Sequence, residues 1–237
     1  MTINRVSISH GWDWLAHAWR LFMREPGLAI GLFLTIAGIQ LLVSLMPVIG
    51  QIVGTLVAPV FGGGYLYFAR RLDRNDEVEF GDLFHAFRQP GKLGPMLTLG
   101  AINMALAIVA VIPLLVAVAG YMELVSGSDP DISMIGVVTS TMTAMIIALV
   151  VISIVIMLMY FAVPLVMLAD VDAGKALKIS FFSCLRNFLP LTLYSIVVLV
   201  LAMVAAIPLG LGLIVVIPVL MLSQYAAYKD IFEGVQV

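Results

Sequence analysis

His10, Asp13 and His17 stand at i, i+3 and i+7, a spacing that places two imidazoles and a carboxylate roughly on one face of a helix. Such a trio could hold a metal ion, but the plainer reading is the solvated polar face of a helix lying at a membrane surface. His85 stands apart. There is no HExxH, no CxxC, no GxSxG, and no Gly-rich phosphate loop ending in Lys-Ser/Thr. The single Cys184 excludes an internal disulfide and reads as a small packing residue. No metal site, no cofactor and no catalytic residues are expected, and the chain reads as a non-enzyme.

Polar groups that would act inside a membrane are uncharged. Gln40, Ser44, Thr55, Asn103, Thr139, Ser140, Thr141, Thr143, Ser153, Thr192 and Ser195 fall in strongly apolar surroundings. Membrane carriers and pumps hold ionisable groups at such depth because only a function retains them there. Hydroxyls bond the backbone of their own helix or a neighbouring helix, so packing explains most of this set. Gln40 and Asn103 are the best candidates for a polar path. Gly62-Gly63-Gly64, between Phe61 and Tyr65, would allow close backbone approach, as would the GxxxG pairs Gly27/Gly31 and Gly50/Gly54.

The elements that position these residues follow from where the charges are missing. The chain has 237 residues, 62% hydrophobic and 11% charged, with mean hydropathy +1.14. Soluble domains carry about 25% charged residues. Residues 26–69, 93–122, 132–169 and 187–228 contain no Asp, Glu, Lys or Arg. One spanning helix needs about 20 residues. The first tract divides at Met46-Pro47-Val48-Ile49-Gly50 and the last at Ile207-Pro208-Leu209-Gly210, where Pro and Gly suit tight turns. Six spans result, near 27–47, 49–69, 94–121, 134–169, 188–207 and 210–229. The fourth is overlong, about 54 Å against a hydrocarbon core of about 30 Å, so it should tilt, project or break near Pro164. The first 25 residues lack the pattern of a cleavable signal peptide, so insertion is expected to begin with the first span.

All 12 Lys and Arg fall in segments 1–26, 70–93, 170–187 and 229–237, on one side of a six-span arrangement. The opposite side receives Glu123, Asp129 and Asp131. By the positive-inside rule both termini are cytoplasmic in a bacterial inner membrane. Each cytoplasmic segment ends in an amphipathic stretch. In the first, Trp12, Leu15, Trp19, Phe22 and Met23 share one face, while Asp13, His17, Arg20 and Arg24 share the other. The second runs Leu83–Phe87 and the third Ala176–Leu185. The second helix of each hairpin carries Pro59, Pro164 or Pro218 before it returns. The fold expected is all-α: a polytopic membrane helical bundle, one integral domain over 1–237. Its six spans form three hairpins, each preceded by an interfacial helix, in parallel units of about 10–70, 82–170 and 174–232 with a pseudo-threefold axis.

Trp12, Trp14, Trp19, Tyr65, Tyr67, Tyr225 and Tyr228 read as an aromatic belt at the cytoplasmic interface. Segment 70–92 balances five basic with five acidic residues, which suits a protein partner better than anionic lipid. The balanced charge offers nothing to nucleic acid. Expected partners are membrane lipids and a second copy or another membrane protein.

Trp19-Arg20-Leu21-Phe22 with Pro26, Pro59-Val60-Phe61-Gly62-Gly63-Gly64, Leu83-Phe84-His85-Ala86-Phe87 and Tyr228-Lys229-Asp230-Ile231-Phe232 carry a likeness over nearly the whole chain. On these the chain resembles a group of uncharacterised proteobacterial inner-membrane proteins, distantly similar to the membrane domain of some glycerophosphodiester phosphodiesterases. The phosphodiesterase domain has no counterpart among these residues, so the resemblance implies a membrane fold and no activity. The function expected is a scaffold, assembly or regulatory role through helix packing and a cytoplasmic collar. The alternative is a carrier or channel for a lipid-like or weakly polar solute, lined by Gln40, Asn103 and the Thr139–Thr143 hydroxyls.

Overall fold

Hydrocarbon cannot replace water as a hydrogen-bonding partner, so an apolar chain of this kind must close its backbone bonds within helices. The computed structural model describes residues 3–126 and 134–234; Asp129 and Asp131 lie outside them. Over the described residues ten α-helices follow in order: α1 His10–Phe22, α2 Pro26–Ser44, α3 Ile49–Asp73, α4 His85–Arg88, α5 Leu93–Ser126, α6 Met134–Met159, α7 Ala162–Ala169, α8 Ala173–Arg186, α9 Phe188–Ala206 and α10 Leu213–Tyr228. A 3-10 turn, Phe80–Phe84, leads into α4, and a π turn, Lys229–Glu233, extends α10. Six described segments are long and apolar enough to cross a membrane: Pro26–Ser44, Ile49–Asp73, Leu93–Met122, Ile135–Ala169, Phe188–Ala206 and Leu213–Glu233. The chain is a multi-pass membrane protein.

The turns fall at the expected breakers. Val48 takes φ 62° between α2 and α3, a costly angle for a β-branched residue, held where Pro47 blocks helix continuation. Leu209 (φ 53°) and Gly210 (φ 79°) turn the chain between α9 and α10. The overlong fourth span breaks at Tyr160-Phe161, between α6 and α7. Pro164 causes this: it lacks an N–H, and its ring crowds the carbonyl four residues earlier, which is that of Tyr160. Gln224 Nε2 of α10 donates to the freed carbonyl at 2.6 Å.

The packed core lies at the end of the bundle that carries the charges. Trp14, Tyr65, Phe68, Phe161, Tyr225 and Tyr228 are all fully or almost fully buried there, contributed by α1, α3, α10 and the α6–α7 break. Pro59, Pro164 and Pro218 are all buried in this core. Towards the other end the hairpins expose apolar surface: Leu41, Leu42 and Leu45 on α2, Leu199, Met203 and Val204 on α9, and most of α5 and α6 beyond residue 107. The α5–α6 arm closes on itself along a seam of small residues, Ala110, Ala117, Val137, Ala144 and Ala148, at largely heptad spacing.

The face of α1 differs from its sequence reading. Its buried residues are Gly11, Trp14, Leu15, Ala18, Leu21 and Phe22, whereas Trp12, Trp19 and Met23 are exposed. The helix has two apolar sides. One packs on α10 and α9, and the other is open to whatever surrounds the molecule. Periodicity reports both sides alike, because lipid and protein are equally apolar neighbours.

Candidate functional site

The charged end is a network built from helix termini. Asp73, the last residue of α3, accepts from Lys229 Nζ at 2.7 Å and from the Tyr225 hydroxyl at 3.0 Å, and faces His17 Nε2 at 3.1 Å. Asp230 accepts from Trp14 Nε1 at 2.8 Å and faces His10 Nδ1 at 2.7 Å. Asp82 takes Arg71 Nη1 at 2.5 Å, and its second oxygen caps the Glu79 N–H at 3.0 Å. Lys92, buried at the start of α5, donates to the carbonyls of Val166 and Met167 and pairs with Asp170. Arg70 donates to the Leu168 carbonyl, and Arg24 to the Leu72 carbonyl and Asn75. A buried charge without a partner is strongly destabilising; here Asp73, Asp82 and Lys92 each face an opposite charge, and Asp230 is hydrogen-bonded by Trp14 and His10. The network ties chain segments as far as 220 residues apart.

The His10–Asp13–His17 grouping therefore does not converge. His10 turns to Asp230 and His17 to Asp73, so the two imidazoles brace different helices and are not a solvated face. His85 stacks on Tyr67, with ring centroids 3.5 Å apart, and bonds Gln89 Oε1. Burial against that ring holds its imidazole below the usual histidine range. The Cys184 thiol is buried on α8 and is pushed up to about 12, an inert packing group.

The aromatic set divides. Trp12 and Trp19 are exposed, as interface anchors would be. Trp14, Tyr65, Tyr225 and Tyr228 are instead core residues, and Tyr65 donates to the Ala29 carbonyl. Tyr67 is half-buried beneath His85. The glycine run divides too. A Cβ on Gly64 would lie 1.9 Å from the Leu83 carbonyl oxygen, and one on Gly63 would press on Met167 and Met96 at 3.3 Å. One on Gly62 would meet nothing within 4 Å. Of the two GxxxG pairs, Gly50/Gly54 lies against Val43 and Gln40 of α2, whereas Gly27/Gly31 faces open space.

Gln40 and Asn103 do come together. With Ser44, Gln51, Gly54 and Thr55 they line a recess of about 370 Å³ between α2, α3 and α5. Gln40 Nε2 donates to the Gly54 carbonyl at 3.3 Å. The Thr139–Thr143 hydroxyls are elsewhere. Thr139, Ser140 and Thr143 bond carbonyls of their own helix, and Thr141 lies against Gly120 of α5. They do not line the recess: Thr141 and Ser140 approach α5 at Gly120, and Thr139 and Thr143 are exposed.

A second cavity, of about 290 Å³, opens between α6, α8 and α9 and is lined by Met157, Tyr160, Cys184, Leu191, Thr192 and Tyr194 among others. Nothing in the sequence flagged Tyr160. Its importance arises from the helix break, which Pro164 alone could have suggested. Asp73, Asp230 and Lys92 were legible as charges but not as buried ones.

No family model and no solved structure matches the chain. It is similar to a protein of Burkholderia thailandensis described as a probable inner membrane protein, 29% identical over 266 aligned positions, which span all of this chain and 95% of that one.

Proposed function

We propose that the protein is a non-enzymatic scaffold of the bacterial inner membrane that holds other membrane components through helix packing and its charged collar. The six spans and the similarity to the Burkholderia protein support the location. Both termini are cytoplasmic in this reading, because every Lys and Arg belongs to the segments gathered at one end. The sequence resemblance to the membrane domain of some phosphodiesterases contributes no chemistry to this reading.

The α5–α6 arm carries the reading. α5 has 34 residues, about 51 Å, against a hydrocarbon core of about 30 Å. A tilt at the upper end of the usual range, about 40°, still leaves some 9 Å outside the core. Yet Tyr121, Met122 and Val125, in that projecting end, are largely apolar and exposed. Apolar surface beyond the lipid calls for protein cover. A photoreactive residue at Met122 or Val125, activated in native membranes, should give discrete protein adducts, whereas one at Leu41 should label lipid. Lipid-only labelling at all three positions would remove the basis for the reading.

The recess at Gln40 and Asn103 favours a second reading, a carrier for a weakly polar solute. Under it, reconstituted vesicles would show a solute flux that Gln40→Leu lowers, and absence of flux across lipid and solute panels would dismiss it.

A further inference from the structure

Six of the twelve basic side chains are held within the molecule, and six, Arg20 and Arg74 among them, stay exposed without an ion pair among the described residues. Arg24, Arg70, Arg71, Arg88, Lys92 and Lys229 bond carbonyls or carboxylates within the molecule. Arg5, Lys175, Lys178 and Arg186 are exposed and form no ion pair among the described residues. These four belong to α8 and to the chain segment laid beside it. Asn187 builds the corner: its Oδ1 accepts the Val6 N–H and its Nδ2 donates to the Asn4 carbonyl, both at 3.0 Å. Asn4 in turn donates its N–H to the Ile231 carbonyl at 2.9 Å. The segment carrying Arg5 is thereby held against the start of α9.

Arg5 and Arg186 line one recess of about 440 Å³ at this corner, with Ser7, Phe188 and Pro190. Phe188 is also a wall of the largely apolar cavity between α6, α8 and α9. Tyr160 and Tyr194 both line that cavity; Ser223 donates onward to the Leu220 carbonyl, so the Tyr194 hydroxyl donates to Ser223 Oγ at 2.6 Å and its oxygen is left to accept from Tyr160. Phe182 and Leu185, exposed on α8, keep the corner at the apolar boundary.

Two cations at the surface and an apolar cavity beyond a shared aromatic wall match the headgroup and tail of a phospholipid in order. We propose that this corner binds one anionic phospholipid, its phosphate between Arg5 and Arg186 and an acyl chain in the cavity. The charge favours an anionic headgroup, since a zwitterionic one brings its own ammonium against the two guanidinium groups.

Native mass spectrometry of the detergent-solubilised full chain, titrated with dioleoyl phosphatidylglycerol or dioleoyl phosphatidylethanolamine, tests this. The wild type should bind the anionic lipid about tenfold more tightly. R5Q/R186Q should abolish the preference, whereas R20Q/R74Q, which removes two other exposed charges, should keep it. Equal binding of the two headgroups to the wild type would overturn the proposal, as would an unchanged preference in R5Q/R186Q. Displacement of the lipid by excess inorganic phosphate would assign the corner to a free anion instead.

Discussion

Gly64 sits where α3 crosses the 3-10 turn before α4, close enough that the Leu83 backbone occupies the space a side chain would need. Backbone cannot rotate away as a methionine side chain can. Gly64→Ala is expected to cost more than ordinary overpacking, which runs to about 1–3 kcal/mol. Gly62→Ala, two residues earlier on the same helix but facing open space, should be neutral or slightly stabilising. Thermal unfolding in detergent checks both, and a Gly64→Ala protein melting with wild type would refute the close approach. Residue type alone marked the run Gly62–Gly64 as a packing site. Which of the three glycines is indispensable depends on what the fold brings against each.

At the scale of elements, the α6–α7 break shows how one residue sets a local structure and another, distant in sequence, sustains it. Pro164 frees the Tyr160 carbonyl, and Gln224 satisfies it from α10. Gln224→Leu should destabilise the protein by about 1–3 kcal/mol through the stranded carbonyl. In a Pro164→Ala background the restored N–H can reach that carbonyl, so the same change should cost less. A double-mutant cycle read by thermal unfolding measures the coupling, and additive effects would show that the two residues act independently. The break near Pro164 was legible from the sequence, since proline chemistry is local. Its partner was not, because a glutamine in an apolar helix looks the same whether it faces lipid, a cavity or a carbonyl.

For the whole molecule, the network at the charged end joins the three hairpins that separate towards the other end. Lys92 holds α5 to α7, Asp73 joins α3 to α10 and α1, and Asn187 joins α9 to the N-terminal segment. Stability is expected to concentrate there, with the far end of the α5–α6 hairpin the more readily deformed part, because most of its residues are exposed. The proposed orientation makes a direct prediction. Reporters fused after Lys92 or at the C-terminus should be active only in cytoplasmic form, and one active only on export after Lys92 would invert the topology.

Composition and charge placement alone determined that this chain is helical, membrane-embedded and six-spanning, because transfer of charge into hydrocarbon is so costly that its absence over 44 residues leaves little choice. Turn positions followed from Pro and Gly, whose effects act within a few residues. The tertiary structure decided which apolar faces meet protein and which stay open, as Trp14 and Trp12 of one helix show. It also decided which charges are spent in pairs and which stay free, as Lys229 and Arg186 show. Hydrophobicity has no direction and a charge does not name its partner, so both questions are answered only when distant segments arrive beside one another.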